Sequence, residues 1–482
     1  MTINPNTLTD IETISVIEDM NLYQQDPNML DISNGPIART TLKLSIPIFV
    51  SQLVAFANTM VDTYFVSLID RNSTALISGV GLVAAIFFLF YNIASGLFLA
   101  TSSVTARGIG QKDEDVIKRT GDSGLLLAGG MCLLIILIGV VFGKVIVISL
   151  AGSALTAEAI RYGFDYFNYL LPGIGLVLIS TVLSGILQGE GKSKQIGLSV
   201  LFSWGMNIVL NPILIFGLKM GVKGSALATS IAITSQLIYY LSLFVRGKTI
   251  TKIQWKIFTL NTKIIKEIIR IGVPATIGMV LISVAYIVLN NIVGSISEVS
   301  MDAWTLVGRM DYMIIAPGLV IGMSTIPMIG QNFGQGNLKR CQDIFYVNTG
   351  LSLVIGLFLG VLYMIFAPQI FQHFSFVPGV IENCVRQVRF LTLTTICTTG
   401  MIVTGLAFQA TGRPMPNLVC DVIRALIISQ PLFLPLIHLT AKNMNLIFLF
   451  LGAGNIISFF ICLIWALNHF KKLRSTGSLV HS

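Results

Sequence analysis

Asp62 lies within the apolar stretch Phe56–Val66, where an ionised carboxylate is costly and needs a cavity or a partner. Asn58 precedes it by one helical turn on the same face. A carboxylate reached alternately from two sides can carry a proton or hold a sodium ion. The plainer alternative is an Asp that only hydrogen-bonds its neighbouring helices. Asn207 and Asn211 stand four residues apart, hence on one helical face, and Pro212 after them weakens the backbone near Ile208. Thr229 adds a hydroxyl oxygen at the end of a run of small residues. Carboxylate, amide and hydroxyl oxygens are the ligands of hard cations, although Asn and Thr also serve as interhelical glue. Further on, Arg309 and Asp311 are close together, and Asp421 and Arg424 are spaced i, i+3. A buried pairing, Arg424 with Asp311 or Arg309 with Asp421, would lock this part of the chain. The alternative makes Asp311 a second protonatable or substrate-cation site, with Trp304 as an aromatic neighbour for a lipophilic cation.

The elements that carry these residues follow from composition. Of 482 residues, 54% are hydrophobic and 11% charged, too few charges for a water-soluble surface. Apolar runs at 44–69, 75–104, 121–150, 159–188, 196–217, 222–246, 268–294, 300–330, 344–371, 385–411, 415–438 and 444–470 are each long enough to cross a bilayer as a helix. The expected fold is therefore an all-α integral membrane protein with twelve transmembrane helices. With the N-terminus in the cytoplasm, 21 Lys and Arg fall in inward segments and 8 in outward ones. The positive-inside rule thus puts both termini in the cytoplasm of a multi-pass cell-membrane protein. That placement accounts for the net charge of +9 without nucleic acid.

The two halves repeat. Ile46-Pro47 matches Val273-Pro274, the loop after span 2 (Gly110-Gln111) matches that after span 8 (Gly334-Gln335), and Gly189-Glu190-Gly191 matches Ala410-Thr411-Gly412. Three matches in register imply two six-helix lobes in a parallel pseudo-two-fold repeat. The expected organisation is an acidic, mobile tail (1–38), an N-terminal lobe (39–246), a cytoplasmic connection (247–267), a C-terminal lobe (268–470) and a short tail (471–482). Glu190 reads either as part of a cytoplasmic gate or as a solvated loop charge. The six Cys show no C-x-x-C spacing and read as packing residues. Four scattered His, with no H-E-x-x-H and no G-x-S-x-G, argue against an enzyme.

From about residue 40 to 470 the chain resembles the multidrug and toxic compound extrusion (MATE) family. The resemblance rests on Pro47 fifteen residues before Asp62, on Leu187-Gln188-Gly189-Glu190-Gly191, on Asn207-Ile208-Val209-Leu210-Asn211-Pro212, on the run 221–229, and on Gly330-Gln331-Asn332. It implies a two-lobe antiporter that exports organic cations and other amphipathic compounds in exchange for H⁺ or Na⁺, with no cofactor. It further implies a cation site at Asp62, Asn207 and Thr229, with Asn211 beside it and no other metal site. Archaeal and DinF-type members often carry Asp where Asn211 stands, so Asp62 is left as the lone carboxylate and the proton is favoured over sodium. The acids that NorM-type members carry near Ile282 and Thr398 are absent, which sets the chain closer to the DinF-type branch. Pro47 is the expected hinge, since bending span 1 there would move Asp62. Asn58, Trp304 and Asp311 are candidates for the substrate cavity, and a monomer is expected. The rival reading is a lipid-linked oligosaccharide flippase of the same superfamily; twelve spans and an acidic N-lobe centre argue against it.

Overall fold

In a bilayer each backbone N–H and C=O must be satisfied within its own segment, so long apolar runs fold as helices. The computed structural model describes residues 30–70, 74–151, 156–254, 261–374, 376–428 and 443–476. These form twelve α-helices and no strand: α1 (Ile37–Ser67), α2 (Thr74–Gln111), α3 (Glu114–Ala151), α4 (Ala157–Gly189), α5 (Ser193–Pro212), α6 (Val222–Val245), α7 (Thr262–Ile296), α8 (Glu298–Gly334), α9 (Leu338–Gln372), α10 (Pro378–Ala410), α11 (Met415–Ile428) and α12 (Met444–Thr476). A π turn, Ile213–Gly217, continues α5 past Pro212. Among the described residues, eleven helices are long and apolar enough to cross a membrane, from 24 residues in α6 to 38 in α3. The rest of the expected eleventh span and residues 1–29 of the expected tail lie outside the described residues. All six cysteines are free thiols, five of them buried.

The repeat extends to the turns. After α2, α4, α8 and α10 the chain closes with the same bond from the second residue past the cap back to the helix: Asp113 N–H to Gly108 O, Lys192 to Leu187, Asn337 to Asn332 and Arg413 to Phe408. This closure requires a left-handed residue. Gly191, Gly336 and Gly412 supply it with φ of 79°, 77° and 77°, whereas the first loop uses Lys112 at 54°. A side chain in that region costs roughly 1 kcal/mol. Lys112→Gly should therefore raise stability by up to about 1 kcal/mol, read as a higher unfolding midpoint of the purified protein; a lower midpoint would contradict it.

The described chain divides into two compact units, one comprising Ile46–Gly272 and the other Ile32–Ser45 with Val273–Ser482. The borders fall inside α1 and α7, each one residue before the helix proline pair Pro47 and Pro274. In the first unit, Ile264, Ile268 and Ile271 of α7 enter the core beside Leu178, Val182 and Tyr240, and Arg107 pairs with Glu267 at 3.1 Å. In the second, the start of α1 is held by Thr41 donating to Asn348 (2.6 Å) and by Ser45 with Ser324 (2.9 Å). The most buried helices are α4 in the first unit and α8 with α10 in the second.

The connection after α6 is fastened to the first unit. Thr251 N–H donates to Glu190 Oε1 (2.8 Å), Lys252 N–H to Ile117 O (3.2 Å) and Gln254 N–H to Asp122 Oδ2 (3.2 Å). Glu190, expected as a gate or solvated charge, is fully buried and paired with Lys192 at 2.6 Å. Its carboxylate holds the connection down.

Candidate functional site

The site in the first unit is set by how α1, α5 and α6 are brought together. Near one end, Pro47 of α1 packs on Gly197 of α5, so closely that a Cβ there would sit 3.0 Å from Pro47 O. Fourteen to fifteen residues further along both helices, Asn211 Nδ2 donates to Asp62 Oδ1 at 2.7 Å. The two helices thus run side by side in the same direction, in register. α6 starts from Gly221, whose φ is +56°, and Gly224 lets it press against the π turn: a Cβ at 224 would lie 2.7 Å from the Leu214 carbonyl carbon. The spacing in the 221–229 run is therefore what carries Ser225 and Thr229 toward α5.

The resulting chain of hydrogen bonds is continuous. Asn58 Nδ2 donates to Asp62 Oδ2 (3.2 Å), Asn211 Nδ2 also donates to Asn207 Oδ1 (2.9 Å), and Asn207 Nδ2 reaches Thr229 Oγ1 (3.3 Å). Asn207 and Asn211 are buried, at 1% and 0% exposure. Two amide donors suit a negative carboxylate. Two buried oxygens around it have no hydrogen-bond partner: Asn58 Oδ1 and Asn211 Oδ1. An orphaned buried polar atom costs about 1–3 kcal/mol, and here the orphans are oxygens beside a carboxylate, the donor set of a hard cation. Tyr166 of α4 stands against Ser225, Thr229 and the Asp62 charge. Neither Tyr166 nor Ser225 was expected from the sequence, because an aromatic or a serine within a span ordinarily packs.

The C-terminal candidates are arranged differently. Among the described residues, no ion pair joins Arg424 to Asp311 or Arg309 to Asp421. Arg424 Nε instead donates to Asn455 of α12 at 3.0 Å, and Asp421 Oδ2 accepts from Asn417 at 3.0 Å. Arg309 is exposed. Trp304 is a core residue, 7% exposed and packed with Leu289, Leu391 and Phe448, and its indole donates to Asn290 Oδ1 at 2.7 Å. Asp311 is half-buried beside Tyr363, whose hydroxyl has no partner. Asn58, expected to line a cavity, is part of the Asp62 centre. Among the described residues no group of three or more His, Cys, Asp or Glu could hold a metal.

Known proteins agree with this architecture. The multidrug export protein MepA of Staphylococcus aureus (strain MSSA476) is 21% identical over 421 residues, covering 85% of this chain and 90% of that protein. A solved structure described as the outward-facing conformation of a multidrug resistance MATE family transporter of the MOP superfamily matches the fold with a TM-score of 0.85 at 23% identity, covering 93% of this chain and 99% of that one. The structure of the MATE transporter ClbM in complex with Rb⁺ matches with a TM-score of 0.79 at 24% identity, covering 92% and 99%. The MatE family model matches residues 47–213 and 274–433, starting at the equivalent prolines of the two halves. This chain therefore belongs to the MatE family of multidrug and toxic compound extrusion transporters, and it is not an enzyme.

Proposed function

We propose that this protein is a secondary active efflux antiporter that exports amphipathic organic compounds, often cations, by alternating access. The observation that carries the reading is the Asp62 centre: a carboxylate bonded to Asn211 and Asn58 and flanked by partnerless oxygens. Asp62, Asn207, Asn211 and Thr229 form the ion-coupling site. Uptake of the ion changes charge and hydrogen bonding there, and the switch is driven by the difference in ion affinity between the two states. Pro47 allows α1 to bend and shift Asp62 against α5. Both termini lie in the cytoplasm, as the distribution of Lys and Arg supports.

The coupling ion is a proton, because Asp62 is the lone acid of the centre and protonation needs one carboxylate. Sodium is the second reading. The partnerless oxygens favour it, since a metal cation takes several oxygen ligands, and the Rb⁺-bound structure of ClbM supports cation binding within the family. Efflux of a fluorescent cation from reconstituted vesicles, under separate pH and sodium gradients, tests both. A pH gradient alone should drive saturable efflux. Efflux that collapses on sodium removal alone would select the second reading, and flux that neither saturates nor follows a gradient would remove antiport altogether.

A further inference from the structure

Ser199, Ser203, Asn207 and Asn211 recur at every fourth position of α5 and so form one polar stripe along it. α6 carries Thr229, Gln236 and Tyr240 at spacings of seven and four, again on one side. The two stripes are bonded together. Asn207 Nδ2 reaches Thr229 Oγ1 (3.3 Å), and Ser203 Oγ donates to Ala232 O (2.9 Å). Ser199 Oγ lies 2.6 Å from the Tyr240 hydroxyl, and Gln236 Nε2 donates to both oxygens, at 3.3 and 3.1 Å. From Ser199 to Asn211 the seam runs roughly 18 Å along α5. One end is the Asp62 carboxylate, which accepts from Asn211. The other is six residues past Ser193, the first of α5, on the side that the distribution of Lys and Arg puts toward the cytoplasm.

Two helices in a bilayer can be held by one such pair, so a file of them starting at an ionisable group asks for a further role. Ser199 and Tyr240 are buried, at 0% and 1% exposure. The Ser199 hydroxyl also has Ile196 O within 2.7 Å, so its proton has two places to point. The indole N–H of Trp204 is buried without an acceptor, seven residues before Asn211 and close to its face of α5. Asn211 Oδ1 is likewise without a donor. Each orphan costs about 1–3 kcal/mol, and water bound in the seam satisfies both. At the far end, Tyr91 of α2 is near enough to Tyr240 to act on it through space and is 45% exposed, so the file ends beside an exposed side chain.

We infer that the α5–α6 seam is the route by which a proton taken up at Asp62 leaves toward the cytoplasm. Hydroxyls and water both donate and accept. Each oxygen takes a proton from the group before it and gives its own O–H proton to the next. Asp62 thus loses one proton, the cytoplasmic side gains one, and every relay group ends as it began. Thr229, Ser203, Tyr240 and Ser199 are the relay hydroxyls, while Asn207, Asn211 and Gln236 hold and orient water. The titratable groups along the route are Asp62 with Tyr166 beside it, and Tyr240 with Tyr91 and Tyr239. The inference rests on the proton reading of the Asp62 centre and adds a path to it.

Two rates in reconstituted vesicles separate a route from mere packing. Efflux of a fluorescent cation under a pH gradient requires a proton to leave Asp62. Self-exchange of the same dye at equal pH does not. Tyr240→Phe with Ser199→Ala removes both hydroxyls at the inner end and keeps the ring that fills the core. The pair should slow gradient-driven efflux by about tenfold or more and leave self-exchange within about twofold. Tyr240→Phe alone should give the same split with a smaller loss, which serves where the double variant folds poorly. Ser242→Ala, whose hydroxyl bonds only to Tyr239 O off the seam, should change neither rate. Equal slowing of both rates, or gradient-driven efflux that the variants keep, would overturn the route while the proton reading stands. Wild-type protein that exchanges dye but ignores a pH gradient would remove the proton reading, and the route with it.

Discussion

Asp62→Asn is expected to reduce gradient-driven efflux to the rate of protein-free vesicles, while the protein stays folded and in the membrane. The substitution keeps an oxygen to accept from Asn211 Nδ2, now 2.7 Å from Asp62 Oδ1. Its new amide group faces Asn58 Nδ2, which would set two donors against each other. Asn58 resolves the conflict by rotating its amide, because its own Oδ1 has no partner in the native centre. The helices therefore keep their contacts and only the ionisable charge is lost. Asn211→Ala supplies the graded comparison. It removes one hydrogen bond to a charged acceptor, worth about 1.5–3 kcal/mol, so the ion half-saturation should shift by about tenfold or more with transport retained. Imposed-gradient efflux, with the folded fraction of each variant measured by size exclusion, checks both. Wild-type transport by Asp62→Asn would remove Asp62 from the mechanism.

The parts of the site legible in the sequence are those with a signal in single residues or fixed spacing. An Asp inside an apolar run, two Asn at i, i+4 and a small-residue run ending in Thr229 all pointed to the centre that α1, α5 and α6 build. Helical phase says which residues share a face, but not which helix lies opposite. For that reason neither expected pairing, Arg424 with Asp311 or Arg309 with Asp421, is formed among the described residues, and Arg424 meets Asn455, an amide 31 residues away on α12. Tyr166 and Ser225 carry no signal of their own, since rings and small hydroxyls fill most spans. The unit borders were hidden for a related reason. A long polar connection reads as a divide, yet its amides bond to α3 and to Glu190 after α4, and the divide falls within α1 and α7.

Glu190→Ala is expected to cost about 3–5 kcal/mol of stability, the penalty for breaking a buried ion pair from one side. The Glu190 side chain is 0% exposed and that of Lys192 11%, with 2.6 Å between them. Removing the acid takes the counter-charge from an ammonium that also donates to the Lys248 carbonyl, 2.7 Å away, and it leaves the Thr251 N–H without this acceptor. Replacing both charges, as in Glu190→Met with Lys192→Met, should recover most of the loss, because no unpaired charge remains. Thr251 would still lack a partner, so a deficit of about 1–3 kcal/mol persists. Glu190→Gln separates the two contributions: it can accept from Thr251 but cannot neutralise Lys192. Unfolding midpoints of the wild type, Glu190→Met, Lys192→Met and the double variant close a cycle that measures the coupling. Strictly additive losses would show that the pair does not act as a unit. A loosened connection also exposes its backbone, so trypsin should cut after Lys248 or Lys252 faster in Glu190→Ala than in the wild type. Unchanged cleavage together with a lost midpoint would mean that Glu190 stabilises the end of α4 and not the connection it touches.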